Sequence, residues 1–312
     1  MVTIDGAAGQ QGFRGIIPYL PTPLTRGGDI DDRATRLLID RLIDAGVDGI
    51  SPLGFTGEAQ YLDDAHKGRL LGIVVDQVEG RVPVIPGVLA PSTDRAVQQC
   101  RAAEQGGADG LVAMCQTWGP VEPEQLFDHF ASMAGATELP VTLYRQPALG
   151  ALVDVATITR LAQLPTVRSL KDASTDTGFL LQVQCAVGDR LDLFAASAHV
   201  PLLVWEMGGV GWMAGPACVV PNTAAALFAV FGAGDRQRAW QLQRAIWPLC
   251  RFFTAHGPAV VVKAALALRG LDVGAAMAPQ RRLEASDRAQ LGQILADIAR
   301  ARAALDLDPQ LL

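Results

Sequence analysis

The chain has 312 residues, of which half are hydrophobic and 19% are charged, and its formal net charge is −6. This hydrophobic content can fill a large core, which excludes a disordered protein. The acidic balance and the lack of a basic stripe argue against nucleic acid as the main partner. The length is typical of one α/β barrel with an appendage.

The cysteines and the N-terminus indicate the cellular compartment. The five cysteines are odd in number and contain no CxxC pair, so a disulfide framework is not expected. The first ten residues, MVTIDGAAGQ, contain neither the basic segment nor the apolar segment of a secretory signal. A short apolar stretch at 224–231 predicts a packed helix rather than a membrane span. We therefore expect a cytoplasmic protein with no membrane partner.

Eight short apolar segments of strand length recur along the chain, separated by segments with helical spacing of apolar residues. In chain order they are 15–20, 49–53, 83–88, 110–114, 140–144, 167–171, 191–196 and 210–214. Apolar strands without clean alternation are typical of parallel sheets that are buried on both faces. Eight βα units favour a closed (β/α)₈ TIM barrel over an open doubly wound sheet. No GxGxxG motif follows the first segment, which weakens a dinucleotide-binding interpretation.

The character of the sequence changes after residue 214. Segments 222–233, 235–255, 258–269 and 285–305 all predict helices, with glycine or proline between them. We interpret the first of them as the last barrel helix and the others as an appendage. The predicted domains are therefore a barrel in residues 1–233, which carries the active site, and a C-terminal helical extension in residues 234–312.

Lys171 is the first candidate for chemistry, because reactive groups of parallel barrels lie at the C-terminal ends of the strands. It ends the sixth predicted strand and precedes a loop. Apolar walls disfavour an ammonium ion, so the pKa of Lys171 should fall and a neutral amine should become available. Such an amine attacks a ketone to give an imine, which then acts as an electron sink. Taken alone, Lys171 is better explained as a strand-end lysine that reaches solvent, because most lysines at strand ends are of that kind.

Two further features strengthen the case for Lys171. Tyr144 ends the neighbouring predicted strand, and a buried phenol can carry the protons that imine formation requires. The turn GFTGE at 54–58 follows the second predicted strand, and we expect a helix to begin near Glu58. The free N–H groups of that helix, with the Thr56 hydroxyl, would bind the carboxylate of a 2-oxo acid. An ordinary βα turn capped by threonine is the alternative.

The sequence resembles the dihydrodipicolinate synthase / N-acetylneuraminate lyase family in four motifs that occur in the family's order. They are GFTGE at 54–58, Leu143-Tyr144 before Pro147, KDAS at 171–174 and GGVGWMAG at 208–215. The similarity runs from about residue 15 to residue 283. The resemblance implies a (β/α)₈ barrel with a C-terminal helical extension, usually assembled as a homotetramer of dimers.

The resemblance also implies roles for particular residues. Lys171 would form the imine, Tyr144 would be the acid/base phenol, and Thr56 with the Gly57 amide would hold the carboxylate. Met213 would line the pocket wall. No metal or organic cofactor is expected, and the four histidines are scattered without metal-ligand spacing.

Several positions depart from the pattern of the synthase itself. Phe55 stands where the synthase has a threonine that passes protons to the tyrosine. Trp118 stands where a tyrosine of the synthase reaches into the neighbouring subunit's site, so the resemblance implies that Trp118 lies at a subunit interface. The segment 148–150 is Ala-Leu-Gly and lacks the arginine that binds the second substrate. These departures argue for a divergent member rather than a true dihydrodipicolinate synthase. Phe55, Trp118 and Leu149 together suggest a more apolar second-substrate region.

Four residues at the ends of two predicted strands could contact the more distant part of a substrate. Arg145 or Gln146 could replace the missing anion contact, although strand alternation should point Arg145 away from the side of Tyr144. Ser197 and His199 follow the seventh predicted strand, where this family often contacts distal polar groups. For His199, a surface or capping histidine is the alternative.

Three functions remain open on these residues. The first is an aldolase-type lyase, in which Lys171 forms a Schiff base with pyruvate or a related 2-oxo acid and a C–C bond is made or broken. The second is a 2-keto-3-deoxy sugar acid dehydratase or hydratase-aldolase, which needs the same lysine and tyrosine. The third is a catalytically weak 2-oxo-acid-binding protein. All three expect a small-molecule ligand and a homo-oligomer.

Overall fold

The computed structural model describes residues 12–150, 152–197 and 199–305, so the first eleven and last seven residues of the predicted domains lie outside it. Its described strands form one parallel sheet of seven, in the order β1-β7-β6-β5-β4-β3-β2. The strands are β1 (Gly15–Pro18), β2 (Gly87–Val88), β3 (Leu111–Met114), β4 (Val141–Arg145), β5 (Val167–Asp172), β6 (Asp192–Ala195) and β7 (Gly211–Ala214).

The second predicted strand, at 49–53, is not a strand of this sheet. Its backbone instead makes one parallel bridge on each side, Tyr19 with Ser51 and Ile50 with Val84. The chain then turns sharply at Leu53, whose φ of 59° is left-handed. The segment therefore lies between the sheet's two edges, next to β1 on one side and the approach to β2 on the other.

Helices cover the outer face of the sheet. They are α1 (Asp32–Asp44), α2 (Asp64–Val78), α3 (Thr93–Gln105), α4 (Pro123–Ala134), α5 (Val155–Leu161), α6 (Thr177–Val187), α7 (Pro201–Glu206), α8 (Gly215–Val219), α9 (Pro221–Gly232), α10 (Arg236–His256), α11 (Pro258–Leu268) and α12 (Ala285–Ala303). Short polar side chains such as Asp31, Asp63 and Ser92 cap helix N-termini by accepting a bond from a free amide, which fixes where those helices begin.

The buried side chains fall into two clusters because successive residues of a strand face opposite sides. Ile16, Leu143 and Trp212 belong to the larger cluster between sheet and helices. Their neighbours Ile17, Tyr144 and Met213 belong to a smaller one. This inner cluster consists of Ile17, Tyr19, Ile85, Leu89, Val112, Met114, Tyr144, Leu149, Phe194 and Met213. It lies on the face of the sheet that the helices do not cover.

The C-terminal helices are packed onto the rest of the molecule. Helix α10 contacts α9, α11 and α12, and side chains from α10 to α12 belong to the same hydrophobic cluster as the sheet's outer face. Helix α9 ends at Gly232 and α10 begins at Arg236, close to the predicted boundary. Because one core joins both parts, the division into residues 1–233 and 234–312 stays a prediction.

All five cysteines are free thiols; four of them are buried and Cys185 is exposed. Within the part of the chain that the structure describes, no helix combines the length and apolar character needed to cross a bilayer.

Candidate active site

Lys171 lies near the C-terminal end of β5 and is 1% exposed. It is opposite Tyr144 of β4 in the strand register. The Lys171 Nζ atom is 3.8 Å from the ring centroid of Tyr144 and 3.8 Å from that of Tyr19. The amine is therefore held among apolar and aromatic walls, as its sequence position predicts.

Burial sets the protonation state of Lys171. Loss of solvation lowers the pKa of the Lys171 amine well below its ordinary value, and the Asp172 carboxylate opposes this shift only in part. Asp172 is itself fully buried and is paired with Arg145, whose Nη1 is 2.8 Å from Oδ1. Because burial is the larger of the two effects, the neutral amine is favoured, and a neutral amine is the form that attacks a ketone.

Tyr144 is buried beside Lys171, and its hydroxyl accepts a hydrogen bond of 3.0 Å from Gln146 Nε2. Burial raises the pKa of Tyr144, the Gln146 bond lowers it, and the Asp172 charge raises it. Burial is the largest of these effects, so the phenol stays protonated at neutral pH. A neutral phenol of this kind can donate a proton to a reacting oxygen.

Arg145 lies on the opposite side of β4 from Tyr144, as strand alternation predicts. Its guanidinium binds Asp172 and the Val153 carbonyl oxygen, and stacks 3.9 Å from the ring centroid of Phe179 on α6. This geometry does not favour Arg145 as a direct anion contact, because its charge is used by Asp172. Its assignment to substrate binding stays a prediction.

His199 joins the charged group around Asp172 and is buried rather than a surface residue. Its Nε2 is 3.8 Å from Asp172 Oδ2, and its Nδ1 accepts a bond from the Ala196 amide. Burial lowers the pKa of His199, which Asp172 opposes. Ser174 donates to the same carboxylate. Asp172 thus fixes the loops that follow β4, β5 and β6.

The turn at 54–58 corrects one expectation, because no α-helix begins near Glu58. Glu58 adopts a left-handed conformation, a single 3₁₀ turn covers Ala59–Tyr61, and α2 begins at Asp64. The turn is closed instead by the Glu58 amide, which donates to the Phe55 carbonyl. Among the described residues, the amides of Thr56 and Gly57 have no acceptor, so a carboxylate site would use turn amides rather than a helix terminus.

The Glu58 side chain has a structural role that the sequence did not reveal. It is fully buried, with its Oε2 2.6 Å from Lys263 Nζ on α11. Its Oε1 accepts bonds from the Met277 amide and from Gln280 Nε2. Lys263 also donates to the Ala275 carbonyl oxygen. The buried pair therefore ties the turn to the segment that follows α11.

The other predicted residues divide into those near the inner cluster and those apart from it. Met213 is fully buried in that cluster, and Phe55 packs against it half-buried. The Ser197 hydroxyl accepts a bond from the Gly215 amide, and Gly215 lies beside the Thr56 hydroxyl. Trp118 lies apart, 90% exposed on the surface.

Tyr19 is the site residue that sequence reasoning missed. It directly follows β1 and is 2% exposed, and among the described residues its hydroxyl has no hydrogen-bond partner. The available signal was its position, since it is the last residue but one of an apolar strand segment, close to the strand end as Tyr144 is. Within residues 12–150, 152–197 and 199–305, no group of three histidine, cysteine or carboxylate side chains could hold a metal ion.

The parallel α/β fold with a buried lysine and a phenol at the strand ends is that of an enzyme, and the comparisons with known proteins assign it to the lyases. The chain belongs to the dihydrodipicolinate synthetase family, whose sequence profile matches residues 12–298. An uncharacterised DapA-like lyase of Halobacterium salinarum is 34% identical over 295 residues, which are 94% of this chain and 96% of the relative. Identities at this level are consistent with a divergent member.

Two solved structures share the whole fold. The 4-hydroxy-tetrahydrodipicolinate synthase of Methylacidiphilum fumariolicum SolV superposes with a TM-score of 0.90 at 27% identity, over 94% of this chain and 98% of that one. YagE, a prophage protein of the same family from E. coli K12 in complex with pyruvate, superposes with a TM-score of 0.87 at 27% identity, over 92% and 99%.

Proposed function

We propose that the protein is a Schiff-base-forming lyase that makes or breaks a C–C bond in pyruvate or a related 2-oxo acid. The observation that carries this proposal is the Lys171 amine, which is buried at a strand end against the face of Tyr144. Of the ordinary amino-acid side chains, only a lysine amine can form an imine with a ketone.

The proposed reaction begins with attack of the neutral Lys171 amine on the ketone carbon. The resulting carbinolamine loses water to give a protonated imine, and Tyr144 supplies and receives the protons. The imine then stabilises the negative charge that develops on the adjacent carbon when the C–C bond is made or broken. Tyr144 suits this role because its hydroxyl is buried and held by Gln146.

The substrate carboxylate is proposed to bind at the turn that contains Thr56 and Gly57. The amides of both residues lack acceptors within the described chain, and the turn lies near β7 through the contact of Thr56 with Gly215. Phe55 and Met213 would form the apolar wall, and Ser197 would lie at the polar edge. Arg145 would act indirectly, by holding Asp172.

The substrate class is inferred from two facts. YagE, a family member with a similar fold, is in complex with pyruvate, which makes a 2-oxo acid the first candidate here. Phe55 and Leu149 both pack in or against the inner cluster. This apolar lining favours a second substrate other than that of the true synthase.

The test is reductive trapping. Incubation with pyruvate and borohydride should add one reduced pyruvate to the intact mass of the wild-type protein, and Lys171→Ala should show no adduct. An adduct on both proteins would refute Lys171 as the imine residue. If pyruvate gives none, longer 2-oxo acids are trapped in the same way, and failure with all of them would support a protein that has lost the chemistry.

Product analysis separates the two catalytic outcomes. Conversion of candidate 2-keto-3-deoxy sugar acids to shorter fragments would identify an aldolase. Loss of water with the carbon chain intact would identify a dehydratase, which uses the same imine.

The proposed enzyme is a closed eight-stranded barrel that assembles as a homo-oligomer, a dimer or tetramer, in the cytoplasm. Closure of the sheet into a barrel is supported by two backbone bridges, one from Ser51 to Tyr19 beside β1 and one from Ile50 to Val84 before β2. The exposed indole of Trp118 supports an interface, because aromatic anchors dominate such surfaces.

A further inference from the structure

The reactive nitrogen of Lys171 faces two aromatic rings rather than one. Its Nζ is 3.8 Å from the centroids of both Tyr19 and Tyr144, and the two centroids are 6.4 Å apart with their planes inclined by 41°. Each ring therefore presents a face to the nitrogen. This position is favourable for a positive charge, because the ring quadrupole is negative on its face.

The Tyr19 ring is fixed in this position by the backbone around it. Tyr19 is bridged to Ser51, and its ring packs over Gly54. A Cβ added at Gly54 would lie 3.5 Å from Tyr19 Cδ1, so the ring is in van der Waals contact with the start of the turn. The Tyr19 ring is therefore held against both Lys171 and the first residue of the turn, and it cannot easily move away from the nitrogen.

Imine formation creates a positive charge on the nitrogen that lies between the Tyr19 and Tyr144 rings. The amine is neutral when it attacks, and the imine nitrogen becomes positive once water has left. The adjacent Asp172 carboxylate is on the next residue of β5, which faces the opposite side of the sheet, and it is paired with Arg145. The aromatic faces are thus the groups in direct contact that can stabilise the new cation.

We propose that Tyr19 is a catalytic residue whose ring face, together with that of Tyr144, encloses the imine nitrogen and stabilises its positive charge. The inference rests on the proposed Schiff-base function. It assigns the role to the ring and not to the hydroxyl. Loss of one such contact should lower the population of protonated imine about 2- to 30-fold.

The test varies the charge distribution of the ring at nearly constant shape. Tyr19→Phe is prepared first, and phenylalanines with one, two and three ring fluorines are then incorporated at position 19. The initial rate of borohydride trapping at mildly alkaline pH, with pyruvate or another 2-oxo acid that gives an adduct, reports the population of protonated imine. We expect Tyr19→Phe to stay within about threefold of wild type and the logarithm of the rate to fall steadily with each fluorine.

Phe194 provides the matched control, since it is fully buried in the same inner cluster and lies opposite Lys171 in the β5–β6 register. Fluorination at position 194 should leave the trapping rate unchanged. Equal trapping rates for all the fluorinated phenylalanines at position 19 would overturn the proposal. A Tyr19→Phe protein that is trapped as slowly as Tyr19→Leu would also overturn it, because that result would assign the role to the hydroxyl. Absence of any wild-type adduct would instead refute the proposed function on which the inference depends.

Discussion

At the scale of single residues, the protonation of Lys171 is decided by competition between burial and charge. Burial lowers the pKa of the amine, and Asp172 raises it. Burial is the larger effect because the Lys171 side chain is almost fully enclosed, whereas the Asp172 carboxylate pairs with Arg145 and accepts a bond from Ser174. Asp172 therefore positions the loops, while the Lys171 amine still stays neutral.

The lowered pKa of Lys171 predicts a pH dependence of stability. Between the lowered pKa and the unfolded value of about 10.4, the unfolded chain binds a proton that the folded chain does not. The free energy of unfolding should therefore rise with pH across that window. Lys171→Met should be more stable than wild type at neutral pH, and its advantage should shrink as pH rises. Urea unfolding of both proteins from pH 6 to pH 10 measures this difference, and a constant difference would contradict it.

The Tyr144 hydroxyl predicts a kinetic effect. Tyr144→Phe keeps the ring beside Lys171 and removes the proton carrier, so turnover should fall about 10²- to 10⁴-fold while the trapped adduct still forms. Steady-state rates and intact masses measure the two effects. Tyr61→Phe is the control, because Tyr61 is 41% exposed and should keep wild-type activity. Unchanged turnover in Tyr144→Phe would assign the proton transfer to another group.

At the scale of elements, the turn at 54–58 is held from the far end of the chain. The Glu58 carboxylate contacts Lys263 on α11 and accepts bonds from Met277 and Gln280, more than 200 residues later. A buried pair of this kind is costly to break, since either partner alone would be an unpaired charge in the interior. The C-terminal segment thus fixes the loop that we propose binds the substrate carboxylate.

The buried pair of Glu58 and Lys263 predicts that single and double substitutions lower the free energy of unfolding by different amounts. Lys263→Met should lower the free energy of unfolding by about 3–5 kcal/mol, because Glu58 remains buried without its partner. Glu58→Gln combined with Lys263→Met should recover most of that loss, because no buried charge remains and the glutamine amide oxygen can still accept the bonds from Met277 and Gln280. Urea unfolding measures all three proteins. Arg160→Met, which removes an exposed pair with Glu124, should cost less than about 1 kcal/mol. A double variant as unstable as the single one would contradict this explanation.

At the scale of the whole molecule, Trp118 is unusual because its large aromatic side chain lies on the surface. Its side chain is 90% exposed, whereas large aromatic side chains usually bury much of their surface. The segment before it also reaches toward the loop after β4, through the bridge of Gln116 to Gly150. An indole at this place could join two subunits near their active sites.

The oligomer prediction follows from that position. Wild-type protein should have a solution mass of at least twice the monomer in sedimentation velocity, and Trp118→Ala should shift the distribution toward monomer at low concentration. Leu268→Ala is the control, because Leu268 is another exposed large hydrophobic residue, at the end of α11 rather than in the segment after β3. Equal distributions for wild type and Trp118→Ala would refute Trp118 as the interface anchor.

The sequence by itself determined the parallel α/β architecture and the pairing of Lys171 with Tyr144. Apolar segments at regular spacing leave few alternatives to parallel strands, and strand ends then meet at one edge. Seven of the eight predicted segments contain a strand of the sheet. The position of Arg145 on the side of β4 away from Tyr144 followed from alternation alone.

Only the tertiary structure decided the rest of the site. Tyr19 and Lys171 are 152 positions apart, and no local pattern predicts that their side chains touch. The pairing of Glu58 with Lys263 is likewise invisible in the sequence, and so is the left-handed turn that replaced the expected helix start. Local sequence fixes periodicity and caps, whereas contacts between distant residues arise only when the sheet curls and the C-terminal helices pack against it.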